Sequence, residues 1–332
     1  MKNFFYIIIF IIAFQDTLIG QISDSLGSSI PLKNSEYTGY QINESETIFF
    51  KKPKPLQHFV SAPGDLYQYA KNSFRLNQLK QIGWMVGVTT VLVMADQDII
   101  DGAQDFGKAI GVKGNNKIKS VAKVFGFPIQ MPTDFSSSLY FIGDGWTHTS
   151  ITSSFLLYGL VDRDNRALQT ASQLAQGLIT VTFTTQLLKH ITGRQSPYRS
   201  TERGGRWDLF PNQVTYHKNV PAYDAFPSGH LASAMMMVTV ISENYKEYKF
   251  IKPLGYSLMT ILSFQMLNNG VHWASDYPLA IAIGYSLGKL ATSRGRIVVT
   301  KHEMANTSPM NLELSIGLVS RSALGISAII HL

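Results

Sequence analysis

The chain has 332 residues, of which 45% are hydrophobic, a formal charge of +7 and no cysteine. That length accommodates one large domain or two modest ones, and the missing cysteine excludes thiol nucleophiles, disulfides and Cys-ligated zinc or iron–sulfur sites. The moderate positive charge, without any Lys/Arg block, suits anionic substrates or a phospholipid surface and gives no sign of a nucleic-acid-binding tail.

In chain order, Lys2 and the apolar run Phe4 to Phe14 predict a signal peptide over residues 1–20, cut between Gly20 and Gln21. The alternative is an uncleaved anchor; both imply an exported protein, periplasmic or membrane-associated. Residues 21–79 form a polar N-terminal segment. As far as Lys54 it is rich in Ser, Asn and Glu and lacks periodicity, which reads as a flexible tether; Leu56 to Leu79 is expected to pack onto the body.

A helical body is predicted over residues 80–296. Trp84 to Met94 opens it as an apolar helix. Asp96, Asp98 and Asp101 read as a solvated helix end turning at Gly102, in preference to a metal site. Gly107 to Lys123 reads as a surface loop or short helix. Asp144, between Gly143 and Gly145 in an apolar segment, is expected to be buried and hydrogen-bonded or close to a site. Residues 162–166 make a charged turn. Ala167 to Leu188 has no charged residue yet repeats Gln and Thr, which suits a helix packed inside a bundle. The tail, 297–332, alternates over Leu312–Leu318 and Ala323–Leu332 and predicts a short C-terminal β-hairpin. The chain lacks the series of strands an outer-membrane barrel needs.

Three stretches carry chemistry. In Ala225-Phe226-Pro227-Ser228-Gly229-His230, Ser228 is a good helix N-cap and Gly229 permits close backbone approach. A helix start there presents free N–H groups beside a hydroxyl and an imidazole, which suits an oxyanion or phosphate. Upstream, Lys189 in a last helical turn and Arg194 in the following loop can converge on a phosphate as point charge and fork; the alternative is a lysine favouring a helix C-terminus beside solvated arginines. Downstream, His272 and Asp276 lie four residues apart, on one face if the segment is helical. A carboxylate so placed holds one imidazole nitrogen protonated and leaves the other as a nucleophile.

In this order the three stretches resemble the type 2 phosphatidic acid phosphatase family, which shares its helical-bundle core with vanadium haloperoxidases. The resemblance covers about Ala167 to Leu290. It implies an all-α bundle and a metal-independent phosphatase acting on a lipid or other small phosphate monoester, with no cofactor. It further implies that His272 is the nucleophile forming a phosphohistidine, Asp276 its orienting partner, and His230 the general acid. Lys189, Ser228 and the Gly229 amide would hold the phosphate. Two positions depart from the family pattern: Ser196, before Pro197, stands where the first motif has Arg, and Gln265-Met266 stands where the third has Ser-Arg. Arg194 or Arg199 is the expected substitute clamp. The alternatives are a catalytically weak anion-binding scaffold and, third, a vanadate-dependent peroxidase.

Overall fold

The computed structural model describes residues 37–54, 57–73, 79–124, 126–300, 311–320 and 323–331, so the expected signal peptide and the start of the polar segment lie outside the described residues. Strands β1 (Tyr37–Asn43) and β2 (Glu46–Lys51) precede helices α1 (Gln57–Ser73) and α2 (Leu79–Ala109). A hairpin, β3 (Ile118–Val124) and β4 (Phe127–Pro132), leads into α3 (Phe135–Phe141), α4 (Gly145–Val161) and α5 (Asn165–Thr192). The short α6 (Gln213–Lys218) is followed by α7 (Gly229–Asn244), α8 (Ile251–Asn268) and α9 (Tyr277–Thr292). Strand β5 (Arg296–Thr300) and the pair β6 (Asn311–Ser320) and β7 (Ala323–His331) complete the chain. The architecture is mostly helical, as expected, and the C-terminal hairpin is present with Leu312 opposite Ile330 and Leu318 opposite Leu324.

The bundle centres on α7, which packs against α5, α8 and α9. Leu174 and Val181 of α5, Leu231, Met235, Met236 and Val240 of α7, Leu262 and Met266 of α8, and Ile283 and Leu287 of α9 are buried together. Burying each such side chain contributes about 1.5–3 kcal/mol. The α7–α9 crossing is close because Gly284 faces the Ala232 carbonyl, where any Cβ would collide.

Helix α5 starts where Asp164 accepts the Ala167 N–H at 2.7 Å and stops at Gly193, whose φ of 53° is left-handed. Gln169, Thr170, Gln173, Gln176, Thr180 and Thr185 point inward as the sequence suggested, while Thr182 and Gln186 are exposed. Asn244 donates to Thr170 Oγ1 at 2.9 Å and Gln173 Oε1 at 2.7 Å, and Gln173 donates to the Arg294 carbonyl at 2.7 Å. The other face of α5 exposes Ile179, Phe183 and Leu187, one turn apart, and α8 exposes Leu254, Leu258 and Ile261 in the same manner. Helix α2 exposes Trp84, Val91 and Met94, and is the one helix among the described residues long and apolar enough to cross a membrane.

Three expectations are corrected. Residues 37–51 are not a tether: β2 is the centre of a three-stranded sheet, antiparallel to β1 and β5. Ile48 and Phe50 on its inner face are fully buried, and Arg166 of α5 stacks on Tyr245 at 3.8 Å and Tyr40 at 5.2 Å to hold the sheet to the bundle. The acidic run 96–101 is not a solvated helix end, because α2 continues through it to Ala109 and Asp96 is fully buried. Residues 107–123 are the last turn of α2, a connection and most of β3 rather than a loop or short helix. Asp144 is half-buried and caps α4, accepting the Trp146 N–H at 2.8 Å.

Candidate active site

The three chemistry-bearing stretches meet at the N-terminal end of α7. They are interlocked by backbone bonds: Ala225 N–H donates to the Arg194 carbonyl at 2.9 Å, Ser196 N–H to Pro221 at 3.0 Å, and Ser228 N–H to Asp276 at 3.2 Å. Trp273 Nε1 donates to the Gln195 carbonyl at 2.8 Å, tying the third stretch to the first. The geometry therefore rests on backbone contacts between loops, which hold side chains more firmly than surface loops would.

His272 is not on a helix. It lies in the connection after α8, whose last turn receives the Val271 N–H at the Met266 carbonyl (3.0 Å), and Asp276 closes a 3-10 turn, Ala274–Asp276. Against the expectation of a helical His–Asp face, the nearest acceptor for His272 Nδ1 is the Ala225 carbonyl at 2.8 Å, with Asp276 Oδ2 at 3.4 Å. A carbonyl cannot donate, so Nδ1 carries the proton and Nε2 is left with its lone pair. Asp276 Oδ2 also accepts the Trp273 N–H at 2.8 Å, which fixes the 272–276 turn.

His230, in the first turn of α7, stands across from His272, with ring centroids 6.1 Å apart and planes at 67°. Tyr140 of α3 leans on its other side at 4.8 Å. Burial, then the neighbouring His272, Lys189 and His148, pull its pKa well below the ordinary imidazole value. His230 is thus neutral near pH 7 until a negative charge arrives beside it. His148 of α4, itself buried and held down to about 4 by desolvation, is a third imidazole in this neighbourhood.

Lys189 reaches the same place. A Cβ built on Gly229 would lie 3.9 Å from Lys189 Nζ and 3.7 Å from Thr185 Oγ1, so the ammonium sits beside the first residue of α7. The first amides of a helix have no intrahelical acceptor, and the helix dipole adds partial positive charge. Ser228 caps the helix by accepting the Leu231 N–H at 3.4 Å, but it is fully buried and its hydroxyl turns to Met266 Sδ at 3.6 Å. The hydroxyl expected at a phosphate therefore faces the core.

Arg194 also differs from expectation. It is fully buried and its guanidinium bridges two carboxylates, donating to Asp276 Oδ1 and Asp96 Oδ2 at 2.6 Å each, to Ser275 Oγ at 2.5 Å and to the Gly204 carbonyl at 2.8 Å. Trp207 and Trp273 cover it at 4.6 and 5.2 Å. With both terminal nitrogens engaged, Arg194 has no fork to offer a phosphate; it is an internal brace for Asp276. Arg199 is exposed and reaches Asn219 at 3.3 Å, and Arg203 pairs with Asp98 on the surface. Ser196 and Met266, at the positions of the absent arginines, are buried.

Residues 170–296 match the family described as the PAP2 superfamily. This segment is a PAP2 domain. It takes in α5 from its second turn through α9, and so includes Lys189, Ser228, Gly229, His230, His272 and Asp276. No curated protein and no solved structure matches the chain.

Sequence reasoning missed two carboxylates of the PAP2 domain's centre. Asp224 pairs with Lys189 at 3.1 Å; its only signal was its place just ahead of Ala225. Asp96, supplied by α2 outside the matched segment, accepts Ser275 N–H at 3.0 Å and Ser275 Oγ–H at 2.5 Å besides Arg194. An acid in the apolar run of α2 was its signal, hidden by the neighbouring Asp98 and Asp101. Among the described residues no three His, Asp or Glu side chains converge as a metal site.

Proposed function

We propose that the protein is a phosphatase that hydrolyses a phosphate monoester through a phosphohistidine, without a metal. The observation that carries this reading is His272: its Nδ1–H is tied to the Ala225 carbonyl, and its ring stands across from His230 beside Lys189 and the start of α7. The Nε2 lone pair attacks phosphorus as the ester P–O bond breaks, and protonated His230 gives its proton to the departing alkoxide oxygen. Neutral His230 then takes a proton from water, whose oxygen attacks phosphorus as the Nε2–P bond breaks, releasing phosphate and restoring His272. The approaching phosphate dianion is what raises His230 into its acid form. Lys189 and the Gly229 amide receive the phosphoryl oxygens.

The substrate is a lipid or other small phosphate ester, and the location is exported, on a membrane surface. The apolar stripes of α5 and α8 and the length of α2 support the membrane part, and the signal-like residues 1–20 support export. The test is phosphate release from lipid and soluble esters in EDTA, with vanadate as inhibitor. Labelled phosphate should be trapped on wild type and absent from His272→Ala. Activity that disappears in EDTA and returns with zinc or magnesium overturns this mechanism.

A second reading, an anion-binding scaffold of weak activity, is favoured by one observation: both terminal nitrogens of Arg194 are held by Asp96 and Asp276, so Arg194 replaces neither absent motif arginine. Vanadate binding without turnover on any ester would establish it.

A further inference from the structure

From Phe106 to Thr133 the chain carries Lys108, Lys113, Lys117, Lys119 and Lys123 and no Asp or Glu. Lys108 pairs with Asp105 on α2, whereas Lys113, Lys117, Lys119 and Lys123 are all exposed. Three of these lysines belong to the β3–β4 hairpin. Lys117 closes its base, where its carbonyl accepts the Thr133 N–H at 3.0 Å, and Lys119 and Lys123 lie along β3 opposite Met131 and Pro128. Among the described residues, β3 and β4 pair only with each other. Phe127, Ile129 and Met131 share one face of β4, and Phe127 is 70% exposed. Val121 stands out at the bulge between Ser120 and Ala122, and Phe135, just past the hairpin, is also 70% exposed. A two-stranded ribbon that shows aromatic and aliphatic side chains to water is marginal on its own, and a patch of this composition marks a surface that something covers.

The hairpin is rooted at the site end of the bundle. Ser136 and Ser137 of α3 accept the Lys113 and Lys117 N–H groups at 2.8 and 2.7 Å, and α3 also supplies Tyr140 beside His230. Gln265, in the last turn of α8, donates to the Lys113 carbonyl at 2.9 Å. A Cβ on Gly114 would lie 2.5 Å from the Asn268 carbonyl oxygen, so the lead-in to β3 is pressed against the end of that helix. Along α8, therefore, the exposed apolar row Leu254, Leu258 and Ile261 stops about one turn before the lysine-bearing segment begins. Apolar side chains followed within a turn by exposed ammonium groups reproduce the order met on passing from the hydrocarbon of a bilayer into its headgroups.

We propose that the β3–β4 hairpin docks on an anionic phospholipid bilayer at the site end of the bundle, with Phe127, Ile129 and Met131 entering the headgroup layer and Lys117, Lys119 and Lys123 paired with lipid phosphates. The lysine stems lie along the ribbon while their ammonium groups stay among the headgroups, so the apolar and the basic side chains are satisfied together. A nucleic acid would match the charge but would leave Phe127, Met131 and Phe135 in water. The proposal rests on the membrane location argued above and not on the phosphatase mechanism, so it stands or falls whether or not an ester is hydrolysed. Its consequence for the site is positional: a docked hairpin holds α3, and with it Tyr140 and the neighbouring His230, close to headgroup level.

Because the chain has no cysteine, a single reporter is available: Val121→Cys in the full chain, labelled with an environment-sensitive dye whose emission moves to the blue out of water. The labelled protein is reconstituted with vesicles of phosphatidylcholine alone and of equimolar phosphatidylcholine and phosphatidylglycerol, and recovered by flotation. A blue shift is expected on the anionic vesicle, reversed as salt screens the charge, and absent on the neutral one. Each lysine near such a surface contributes about fivefold in affinity, so Lys119→Gln together with Lys123→Gln should weaken docking about 30-fold in a phosphatidylglycerol titration. Lys249→Gln, at the other end of the bundle, should leave it unchanged. Every substituted side chain is exposed, so folding is not at stake. Protein that floats with both vesicles while the dye responds to neither keeps the membrane location and overturns the hairpin proposal; protein that floats with neither overturns both. An equal shift on the two vesicles, a shift that survives the lysine changes, or a stronger response to duplex DNA than to the anionic vesicle also overturns it.

Discussion

Arg194 offers the sharpest test of the site, because its position and the resemblance assign it opposite roles. Arg194, Asp96 and Asp276 are all fully buried, and the guanidinium is the one cation between the two carboxylates. Arg194→Met removes it and leaves two buried, mutually repelling anions, so the cost belongs at the upper end of the about 3–5 kcal/mol seen when a buried pair is broken. Asp96→Asn leaves a neutral Arg194–Asp276 pair and keeps an oxygen for the Ser275 N–H, so it should cost about 1–2 kcal/mol. In a domain of this size these correspond to falls in Tm of about 10 °C or more and about 2–8 °C. Arg194→Lys keeps the charge but cannot bridge two carboxylates, and should lie between them. The same variants report on function. A brace behind Asp276 does not touch phosphate, so Arg194→Lys should lower kcat with vanadate affinity nearly unchanged. The assays are thermal melts and vanadate titration on the purified protein. Vanadate affinity falling in Arg194→Lys as far as in Lys189→Ala would refute the brace, and so would Arg194→Met melting no lower than Asp96→Asn.

Three further outcomes are expected. His148 titrates at about 4 when folded, against 6.5 for an exposed imidazole. The unfolded chain therefore binds the extra proton, and stability is complete above pH 6.5 and falls as pH drops toward 4, by about 3 kcal/mol in all; unfolding curves across this range should flatten in His148→Phe. Since His230 is neutral in the empty site, kcat/KM should rise as pH falls below 7, whereas kcat should hold to higher pH because bound phosphate favours its protonation; coincident profiles would count against this. His230→Ala should cost more on an alkyl phosphate than on a nitrophenyl phosphate, whose leaving group needs little proton help, and kcat on the two esters measures the difference.

The bundle and its helix ends were legible because they depend on local signals. Ser228 is a cap, and the inward Gln and Thr of α5 recur at helical spacing, whereas the Asp164 cap and the left-handed stop at Gly193 emerged only from the structure. The C-terminal hairpin was legible from alternation. The N-terminal hairpin was not: β1 alternates polar residues, and the burial of Ile48 and Phe50 depends on β5, some 250 residues away (for example Ile48 opposite Val298). Within the site, residue types at motif spacing located His272, His230 and Lys189. The partners of those residues were not legible, since they come from distant elements or from the backbone. The Ala225 carbonyl that orients His272 carries no side-chain signal, and Asp96 reaches Ser275 across 179 positions.

The positions of the absent arginines fit the inward turn of Arg194. Arg194 lies two residues before Ser196, on a backbone segment bridged to both Trp207 and Asp224, which directs its side chain to the interior rather than to the start of α7. Met266 fills the other position from within the core and meets the Ser228 hydroxyl, so an arginine placed there would have to bury a guanidinium against that hydroxyl and the packed face of α7. The charge of Arg194 thus lies behind Asp276, where it braces the turn carrying His272. Lys189, the remaining motif cation at the start of α7, is balanced by Asp224. On the proposed reading His272 and His230 carry the chemistry, and a phosphate must compete with Asp224 for Lys189.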